Sequence, residues 1–365
     1  MFVNGERTRP IRVLLIAPSL AIVGGQSVQA DRLLAYFRKV PGIDVRFQPF
    51  NLRLPRIVES VRYLRTVARW LLYCPVVMWR VAGADVVHVF SASFYSYNLW
   101  SLPALASARL WRKKIILNYH DGQAEQHLAY WKSAVATLRR MDRIVTPSAY
   151  LVEVFRKYNL QATLIHNVID SSRFRFRPRA RPAPVFLHNR MLDPLYNVEC
   201  TLRAFQLIQK RYPEARLTLA HDGGLRGSLE RLAEELRLRN TQFIGHVAPE
   251  KIPELYDSAE IYLTSPNTDC MPLSLLECFA SGLPLIATRV GGIPYIVEHE
   301  RTGLLVESND HAAMAASAFR LLEEEGLAER LARNAVGECG KYRWDVVGEA
   351  WVRLYRELAE PLRFS

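Results

Sequence analysis

Short apolar runs alternate with amphipathic segments along most of this chain. The runs are rich in Val, Ile and Leu, and most are followed by residues with helical spacing. Buried parallel strands joined by crossover helices produce this pattern. In the first half, a helix is predicted near 27–37, and strands are predicted at 11–18, 85–90, 114–120, 143–148 and 162–170.

A second series of the same kind occupies the chain beyond residue 184. It predicts strands in "PVFLHNR", "ARLTLA", "TQFIGHV", "EIYLTS", "PLIAT" and "GLLVE", with helical patterns between them. The predicted fold class is therefore α/β, with two doubly wound Rossmann-like domains in series. Ligands of such sheets bind at the carboxyl ends of the strands, so we expect the functional residues there.

The stretch between the two series differs from both. Residues 171–183 contain five arginines, no acidic residue and no apolar periodicity, which is typical of a linker. We therefore predict an N-terminal domain at 1–170 and a C-terminal domain at 184–345. A last amphipathic helix is predicted at about 346–363.

Charge is distributed unevenly over the 365 residues, whose net charge is +12. Residues 1–170 hold 23 basic and 10 acidic residues, whereas residues 184–365 hold 20 and 26. The two halves are thus expected to meet different partners. Five cysteines without a CxxC pair argue against a disulfide framework and indicate a reducing compartment, so we expect a cytoplasmic protein.

Two apolar runs in the first half resemble targeting or membrane segments. "VLLIAPSLAIV" follows Arg7, Arg9 and Arg12, but Pro18 interrupts it and no small-residue cleavage site is obvious. A buried first strand is therefore favoured over a signal peptide. Residues 70–79 are too few to span a bilayer, so the protein is expected to be soluble or peripheral.

Residues 56–73 form an amphipathic pattern that is open to two interpretations. One face holds Ile57, Val61, Leu64, Ala68 and Leu71, and the other holds Arg62, Arg65 and Arg69. The pattern fits a core helix with a solvated charged face. It also fits a helix on an anionic membrane, and our hypothesis is peripheral attachment at the inner face of the plasma membrane.

The segment "NTDCMPLSLLECFASGLPLIAT", residues 267–288, combines a predicted helix with two carboxylates. Pro272 fits the first helical position and Gly282 the position just past the end. The apolar positions are Leu275, Leu276, Phe279 and Ala280, and the polar stripe is Ser274, Glu277 and Ser281. Asp269 precedes the helix, whose first amides favour an anion. A solvated helix face would explain the same pattern.

The sequence around this segment, residues 243–306, resembles the nucleotide-sugar half of the family 4 retaining glycosyltransferases of GT-B fold, also called glycosyl transferases group 1. "GGQSVQA" resembles the family's N-terminal glycine loop, and residues 342–358 resemble the helix that crosses back to the first domain. The resemblance implies two domains that face each other across a cleft. It also implies transfer of a sugar, with retention, from a nucleotide-diphosphate donor to a glycan or lipid-linked acceptor.

The resemblance further implies roles for individual residues. Asp269 and Glu277 match the family's E-x7-E pair, in which the second acid holds the ribose hydroxyls and the first lies near the donor sugar. Arg190 matches the phosphate clamp, but the lysine that follows it in the family is replaced in the region Leu195–Asn197. His120 matches a histidine of the first domain that lies near the sugar.

These correspondences define the predicted site. The catalytic residues are Asp269, His120 and Arg190. The donor-binding residues are Gly24, Gly25, Arg190, Val247, Asp269, Met271, Pro272, Leu273, Ser274, Leu275 and Glu277. No D-x-D sequence occurs, so neither a metal nor a cofactor beyond the nucleotide sugar is expected.

An alternative is a catalytically weakened sugar-nucleotide-binding or scaffold protein of the same fold. The aspartate at 269 and the absent lysine motivate it. Nucleic-acid binding is disfavoured, because no recognition module accompanies the positive charge.

Overall fold

The computed structural model describes residues 9–20, 24–52 and 54–359. Tertiary contacts divide the chain into two units. The first comprises Met1–Val168 with Asp345–Ser365, and the second comprises Ile169–Trp344. Each unit contains a six-stranded parallel sheet, so the predicted α/β class with two doubly wound domains is confirmed.

The sheet of the first unit consists of β1 (Ile11–Ala17), β2 (Ile43–Pro49), β3 (Val86–Ser91), β4 (Lys114–Tyr119), β5 (Arg143–Thr146) and β6 (Thr163–Leu164). The strand order is β2-β1-β3-β4-β5-β6, with parallel pairing throughout. Residues 13–17 of β1 are buried, so the N-terminal apolar run is a core strand as predicted. Arg7 lies outside the described residues.

The helices of this part of the chain are α1 (Gly25–Phe37), α2 (Arg56–Glu59), α3 (Arg62–Ala82), α4 (Phe94–Ser96), α5 (Leu102–Leu110), α6 (Ala124–Tyr130), α7 (Lys132–Leu138) and α8 (Ala149–Lys157). A π-helical turn, Tyr97–Ser101, joins α4 to α5. The single helix expected from residue 56 is thus two helices, and the second continues to Ala82.

The strand predicted at 162–170 is much shorter in the structure, because β6 ends at Leu164. The backbone N–H and carbonyl groups of the residues that follow bond to side chains rather than to a neighbouring strand. Gln29 accepts from the N–H of Val168 at 2.9 Å and donates to its carbonyl oxygen at 3.0 Å, and Arg32 donates to the same oxygen. A buried polar group needs a partner, but that partner need not be a strand.

The second unit contains β7 (Val185–Asn189), β8 (Arg216–Ala220), β9 (Thr241–Gly245), β10 (Ile261–Thr264), β11 (Leu285–Thr288) and β12 (Leu304–Val306). Its helices are α9 (Val198–Arg211), α10 (Arg226–Glu235), α11 (Ile252–Asp257), α12 (Leu273–Ser281), α13 (His311–Glu323) and α14 (Leu327–Glu338). The parallel strand order is β12-β11-β10-β7-β8-β9.

Successive strand residues of the second unit face opposite helical layers. Leu187 packs in the same cluster as Leu276 of α12, whereas its neighbour Phe186 packs with Phe205 of α9. This alternation is the two-residue period of a strand that is buried on both faces. It explains why the strands appear as continuous apolar runs in the sequence.

The final helix, α15 (Trp344–Ala359), packs into the first unit, although nearly the whole second unit precedes it in the chain. Nδ1 of His88 on β3 lies 2.7 Å from the Tyr355 hydroxyl, and the Trp351 ring stacks on the imidazole at 4.4 Å. Burial lowers the pKa of His88 to about 3, so this ring is a neutral core residue.

Arg179, within the predicted linker 171–183, is buried and belongs to the second unit. Its guanidinium makes five hydrogen bonds to backbone carbonyl oxygens of Tyr256, Arg177, Ala259 and Ser281, at 2.6 to 3.1 Å. Burial, followed by the charge of Arg177, lowers the pKa of Arg179 to about 10, so it stays charged at neutral pH. These bonds tie the segment to the ends of α11 and α12.

We predict that Arg179→Lys lowers the free energy of unfolding by about 2 kcal/mol or more, because an ammonium cannot replace five planar donors and leaves buried carbonyls unpaired. Urea unfolding measures the change. Arg181→Lys is the control, since the side chain of Arg181 is 89% exposed and its change should stay within about 0.5 kcal/mol. Equal effects of the two substitutions would contradict the prediction.

Candidate active site

Helix α12 starts at the carboxyl edge of the second sheet. It begins at Leu273, one residue later than predicted, because Pro272 is extended and precedes the helix. It ends before Gly282, whose φ of 65° is the left-handed conformation of a helix C-cap. All four predicted apolar positions are buried. The first turn contains no acidic residue.

Asp269 is positioned by a glycine loop that follows β11. The N–H of Gly292 donates to the Asp269 carbonyl oxygen at 2.8 Å. A Cβ on Gly291 would lie 2.2 Å from that oxygen, and one on Gly292 would lie 1.8 Å from the carbonyl oxygen of Cys270. Only glycine permits this approach, so the loop fixes the backbone of the acidic residue.

Arg190, directly after β7, meets Asp269 in the structure. Its guanidinium donates to the Asp269 carboxylate and, at 3.3 Å, to the hydroxyl of Ser274 in the first turn of α12. The guanidinium also lies over the Tyr196 ring, 4.4 Å from its centroid. The side chains of Arg190 and Asp269 are only 13% and 10% exposed, so the pair is shielded from water.

The ion pair controls the charge of this pocket. Burial opposes the positive charge on Arg190, but the Asp269 carboxylate outweighs it, and the pKa of Arg190 is raised. Burial also raises the pKa of Tyr196, against the influence of Arg190. The guanidinium is therefore a permanent cation, held by one carboxylate and one aromatic face.

The predicted polar stripe of α12 is only partly exposed. Glu277 is half-buried in the second turn, whereas Ser274 and Ser281 are buried. The Ser281 hydroxyl donates to the Glu277 carbonyl oxygen at 2.7 Å. Ser281 therefore satisfies the helix backbone, and Glu277 is the member of the stripe with a carboxylate to offer a ligand.

Several predicted donor-binding residues have buried side chains. Met271 and Leu275 belong to the core cluster beneath α12, and Leu273 packs against it. Pro272 is also buried. Met271, Pro272 and Leu275 therefore have little side-chain surface to offer a ligand, whereas the half-buried Leu273 side chain remains partly accessible.

Val247 lies in the loop that follows β9, which is three places from β10 in the sheet order. Its half-buried side chain packs against the same core cluster. The loops after β7, β9 and β10 thus bring Arg190, Val247 and Asp269 to the same edge of the second sheet.

In the first unit, Gly24, Gly25 and His120 also lie at the carboxyl ends of strands. Gly24 precedes α1 and Gly25 is its first residue. A Cβ added to either glycine would meet no described atom within 4 Å, so packing does not require glycine there. The Gln26 side chain donates to the carbonyl oxygens of His120, at 3.1 Å, and Ser91, at 3.4 Å, linking the loops after β1, β3 and β4.

The His120 imidazole is held in a neutral state. Its Nε2 lies 2.7 Å from the Asn118 side-chain oxygen, and its ring packs against Phe90 at 5.1 Å. Burial lowers the pKa of His120 to about 3. A neutral imidazole can donate or accept a hydrogen bond but supplies no charge.

Sequence reasoning did not identify Tyr196 or Gln26 as supports of these sites. Tyr196 lies in the region where the family resemblance would place a lysine, and nothing in the pattern showed that its ring would lie beside Arg190. Gln26 follows the two glycines directly, but its partners come from strands 65 and 94 residues further along the chain.

The fold and the clustered site residues define a glycosyltransferase of GT-B type. Residues 7–173 match the profile described as Glycosyltransferase Family 4, and residues 171–337 match Glycosyl transferases group 1. The chain belongs to this family of enzymes, and the family resemblance noted in the sequence is confirmed.

Curated relatives extend over much of the chain. Glycogen synthase of Mycobacterium tuberculosis is 27% identical over 295 residues, which cover 76% of this chain and 69% of that protein. Sulfoquinovosyl transferase SQD2 of Arabidopsis thaliana is 24% identical over 374 residues, which cover 92% of this chain and 72% of that protein.

Solved structures share the fold. Anabaena Alr3699/HepE, in complex with UDP and glucose, superposes with a TM-score of 0.76 at 16% identity. The match covers 95% of this chain and 100% of that chain.

Proposed function

We propose that this protein is a retaining glycosyltransferase that moves a sugar from a nucleotide-diphosphate donor to a glycan or lipid-linked acceptor in cell-envelope, exopolysaccharide or glycoconjugate synthesis. The observation that carries the proposal is the meeting of Arg190, Asp269 and Ser274 at the start of α12. A cation, a hydroxyl and a helix N-terminus suit a phosphate, and a carboxylate suits sugar hydroxyls. The complex of HepE with UDP and glucose supports this donor class.

The proposed roles follow the geometry. Arg190 and the first amides of α12 bind the diphosphate and stabilise the charge that develops as the bond to the sugar loosens. Glu277 accepts hydrogen bonds from the ribose, and Asp269 holds the donor sugar. His120, Gly24 and Gly25 remain proposed donor contacts of the first unit, and open space at the glycines is compatible with a ligand. The proposed reaction needs no metal, in keeping with the absence of a D-x-D sequence.

The alternative, a catalytically weakened binder or scaffold, draws on one observation. The Asp269 carboxylate already pairs with the Arg190 guanidinium. To bind a diphosphate, Arg190 would have to give up part of this ion pair. Weak donor binding without turnover would fit that competition.

We predict that one of UDP, GDP or ADP, at about 100 times its dissociation constant, stabilises the protein by about 2.7 kcal/mol. Glu277→Ala should lower the affinity for that nucleotide by roughly tenfold or more, because it removes charge-assisted hydrogen bonds to the ribose. Thermal-shift titration measures both effects. Glu235→Ala, at an exposed position near the end of α10, is the control and should bind like the parent. Equal affinity of the parent and Glu277→Ala would remove the ribose assignment.

A second prediction separates a transferase from a binder. With the nucleotide sugar whose nucleotide stabilises the protein, release of that nucleotide should depend on an added glycan or lipid-linked acceptor. It should persist in EDTA, since the proposed charge stabilisation comes from Arg190 and helix amides. Product analysis should show retained anomeric configuration. Selective binding without acceptor-dependent release would favour the alternative.

Helix α3 supports a location at a membrane surface. Tyr73, Val77 and Val81 form its buried face. Its exposed large apolar residues are Tyr63, Leu64, Val67, Trp70, Leu71, Leu72, Met78 and Trp79. An exposed apolar patch of this kind is typical of an interaction site.

The charges around α3 favour an anionic bilayer over a protein partner. The helix contains four arginines and no acidic residue. The Arg69 guanidinium pairs with the Glu59 carboxylate, with an N–O distance of 2.7 Å, and Arg80 donates to the carbonyl oxygen of Phe47. The side chains of Ile57 and Arg62 lie outside the described residues. No helix among the described residues is long and apolar enough to cross a membrane.

We therefore propose a cytoplasmic enzyme held peripherally at the inner face of the plasma membrane by α3. Apolar burial and attraction of the arginines to anionic lipids would act together. This location would present a lipid-linked acceptor directly to the enzyme.

We predict that the protein sediments with vesicles containing anionic lipid at physiological salt. Val67→Glu should weaken binding about tenfold, because it removes an exposed apolar side chain that the lipid would cover and adds a charge that the lipid repels. Val346→Glu on α15 is the control, since Val346 is 51% exposed and Val67 is 55% exposed. Sedimentation that fails for the parent, or is equally weakened by both substitutions, would contradict the proposal.

A further inference from the structure

His221, directly after β8, has a backbone conformation that favours glycine. Its φ is 93°, and its N–H donates to the Gly245 carbonyl oxygen at 2.7 Å. A histidine in this region is strained, and such strain persists only where the surroundings impose it. It is concentrated at functional sites, so the reason for a side chain at this position is informative.

Two predicted donor-binding loops hold His221 between them. On one side, the N–H of Leu192 donates to the Asp222 carbonyl oxygen at 3.1 Å, and a Cβ on Gly223 would lie 2.2 Å from the Leu192 oxygen. This contact joins the His221 loop to the loop of Arg190. On the other side, the bond to Gly245 joins it to the loop of Val247. The imidazole therefore stands between the loop of Arg190, the proposed phosphate clamp, and the loop of Val247.

The His221 ring is available to a ligand. It is half-buried, and within the described part of the chain no hydrogen bond reaches either of its nitrogens. Its ring contact is with His246, at 5.5 Å between centroids. Burial, then His246 and Arg190, lower the pKa of His221, and Asp222 acts in the opposite direction. The ring is therefore neutral at pH 7 before a ligand arrives.

The proposed donor site has too little positive charge for a diphosphate, and His221 could supply more. Arg190 carries one positive charge, but Asp269 and Glu277 carry two negative ones. A diphosphate adds at least two more, so Arg190 alone leaves the occupied site strongly negative. The lysine that the family resemblance leads one to expect is absent, and further positive charge must come from another residue.

We propose that His221 is a phosphate-contacting residue of the donor site and supplies, when protonated, the positive charge that a lysine would otherwise bring. This inference rests on the proposed function. The strained backbone aims the imidazole between the loops of Arg190 and Val247, and the bound diphosphate stabilises the imidazolium.

Proton uptake follows from this assignment. Before binding, His246 and Arg190 disfavour the charged ring, whereas Asp222, itself 3.6 Å from Arg226, favours it. The neighbouring His188 is neutral, because burial lowers its pKa to about 3. The diphosphate reverses the balance, and the ring takes up a proton from solvent. Nucleotide affinity should therefore rise as the pH falls from about 8 to about 6, around the ordinary pKa of histidine.

The test uses calorimetry of UDP, or of GDP or ADP if the parent prefers one of them, at pH 6.5 in two buffers of different ionisation enthalpy. His221→Gly removes the ring and relieves the backbone, so thermal stability should be kept or raised. His221→Asn keeps a polar side chain that tolerates the left-handed region but cannot be protonated. Both variants should bind roughly tenfold more weakly, and both should lose proton uptake relative to the parent.

Arg237→Gly is the matched control. Arg237 also has a positive φ, 55°, and lies exposed just past the end of α10 in the same unit. The substitution relieves a similar backbone conformation and removes a positive charge, yet nucleotide affinity should not change. Weaker binding in this variant would mean that general charge or backbone effects explain the His221 result, and the proposal would fall.

The outcomes distinguish this inference from the proposed function. If the parent binds a nucleotide and His221→Gly binds it equally well, His221 is not a phosphate contact. If affinity falls but proton uptake is unchanged, His221 does not supply the charge. If the parent binds none of the three nucleotides, the donor assignment itself fails and this inference falls with it.

Discussion

A buried guanidinium fixes the helix that carries the proposed donor site. Arg179 bonds directly to carbonyl oxygens rather than to a carboxylate, and its partners include the carbonyl of Ser281 at the end of α12. A cation at this end interacts favourably with the helix dipole and satisfies groups that would otherwise be unpaired. Held at its C-terminus, α12 presents its first turn, with Ser274, in a fixed position beside Arg190.

The opposite end of α12 is governed by charge balance. Arg190 is shielded by Asp269 and Tyr196, so the free protein does not leave a cation exposed in an otherwise apolar surrounding. Such burial is tolerated because the charge is paired. A ligand phosphate must therefore compete with, or add to, an existing ion pair. Additional polar groups around the pair, including Ser274, would therefore help a donor phosphate to bind.

Much of the fold could be predicted from the sequence, because burial imposes clear periods on the strands. The end of α12 was predictable for the same kind of reason, since Gly282 permits a left-handed turn. The orientation of α3 was not. An apolar stripe indicates that one helix face avoids water, but it does not distinguish a protein core from a lipid surface. Leu71 belongs to the apolar face predicted from the sequence, yet it is 60% exposed in the structure.

The site was predictable only in part. Family resemblance selected Arg190 and Asp269, which the structure brings together, although they are 79 residues apart. It gave no sign that Arg179 would be buried, because its segment has the composition of a solvated linker. The strain at His221 was also hidden, since a backbone angle depends on contacts with Gly245 and Leu192 that no local pattern encodes.

The return of α15 to the first unit bears on how the protein is made. A ribosome releases residues 1–168 long before it releases Trp351 and Tyr355, which cover His88 on the central strand β3. Until then the growing chain holds an incomplete hydrophobic layer, while the continuous second unit can already close its own core. The first unit therefore completes its core only after residues 344–359 have been made, and a chain that stops before α15 would hold an unfinished first unit.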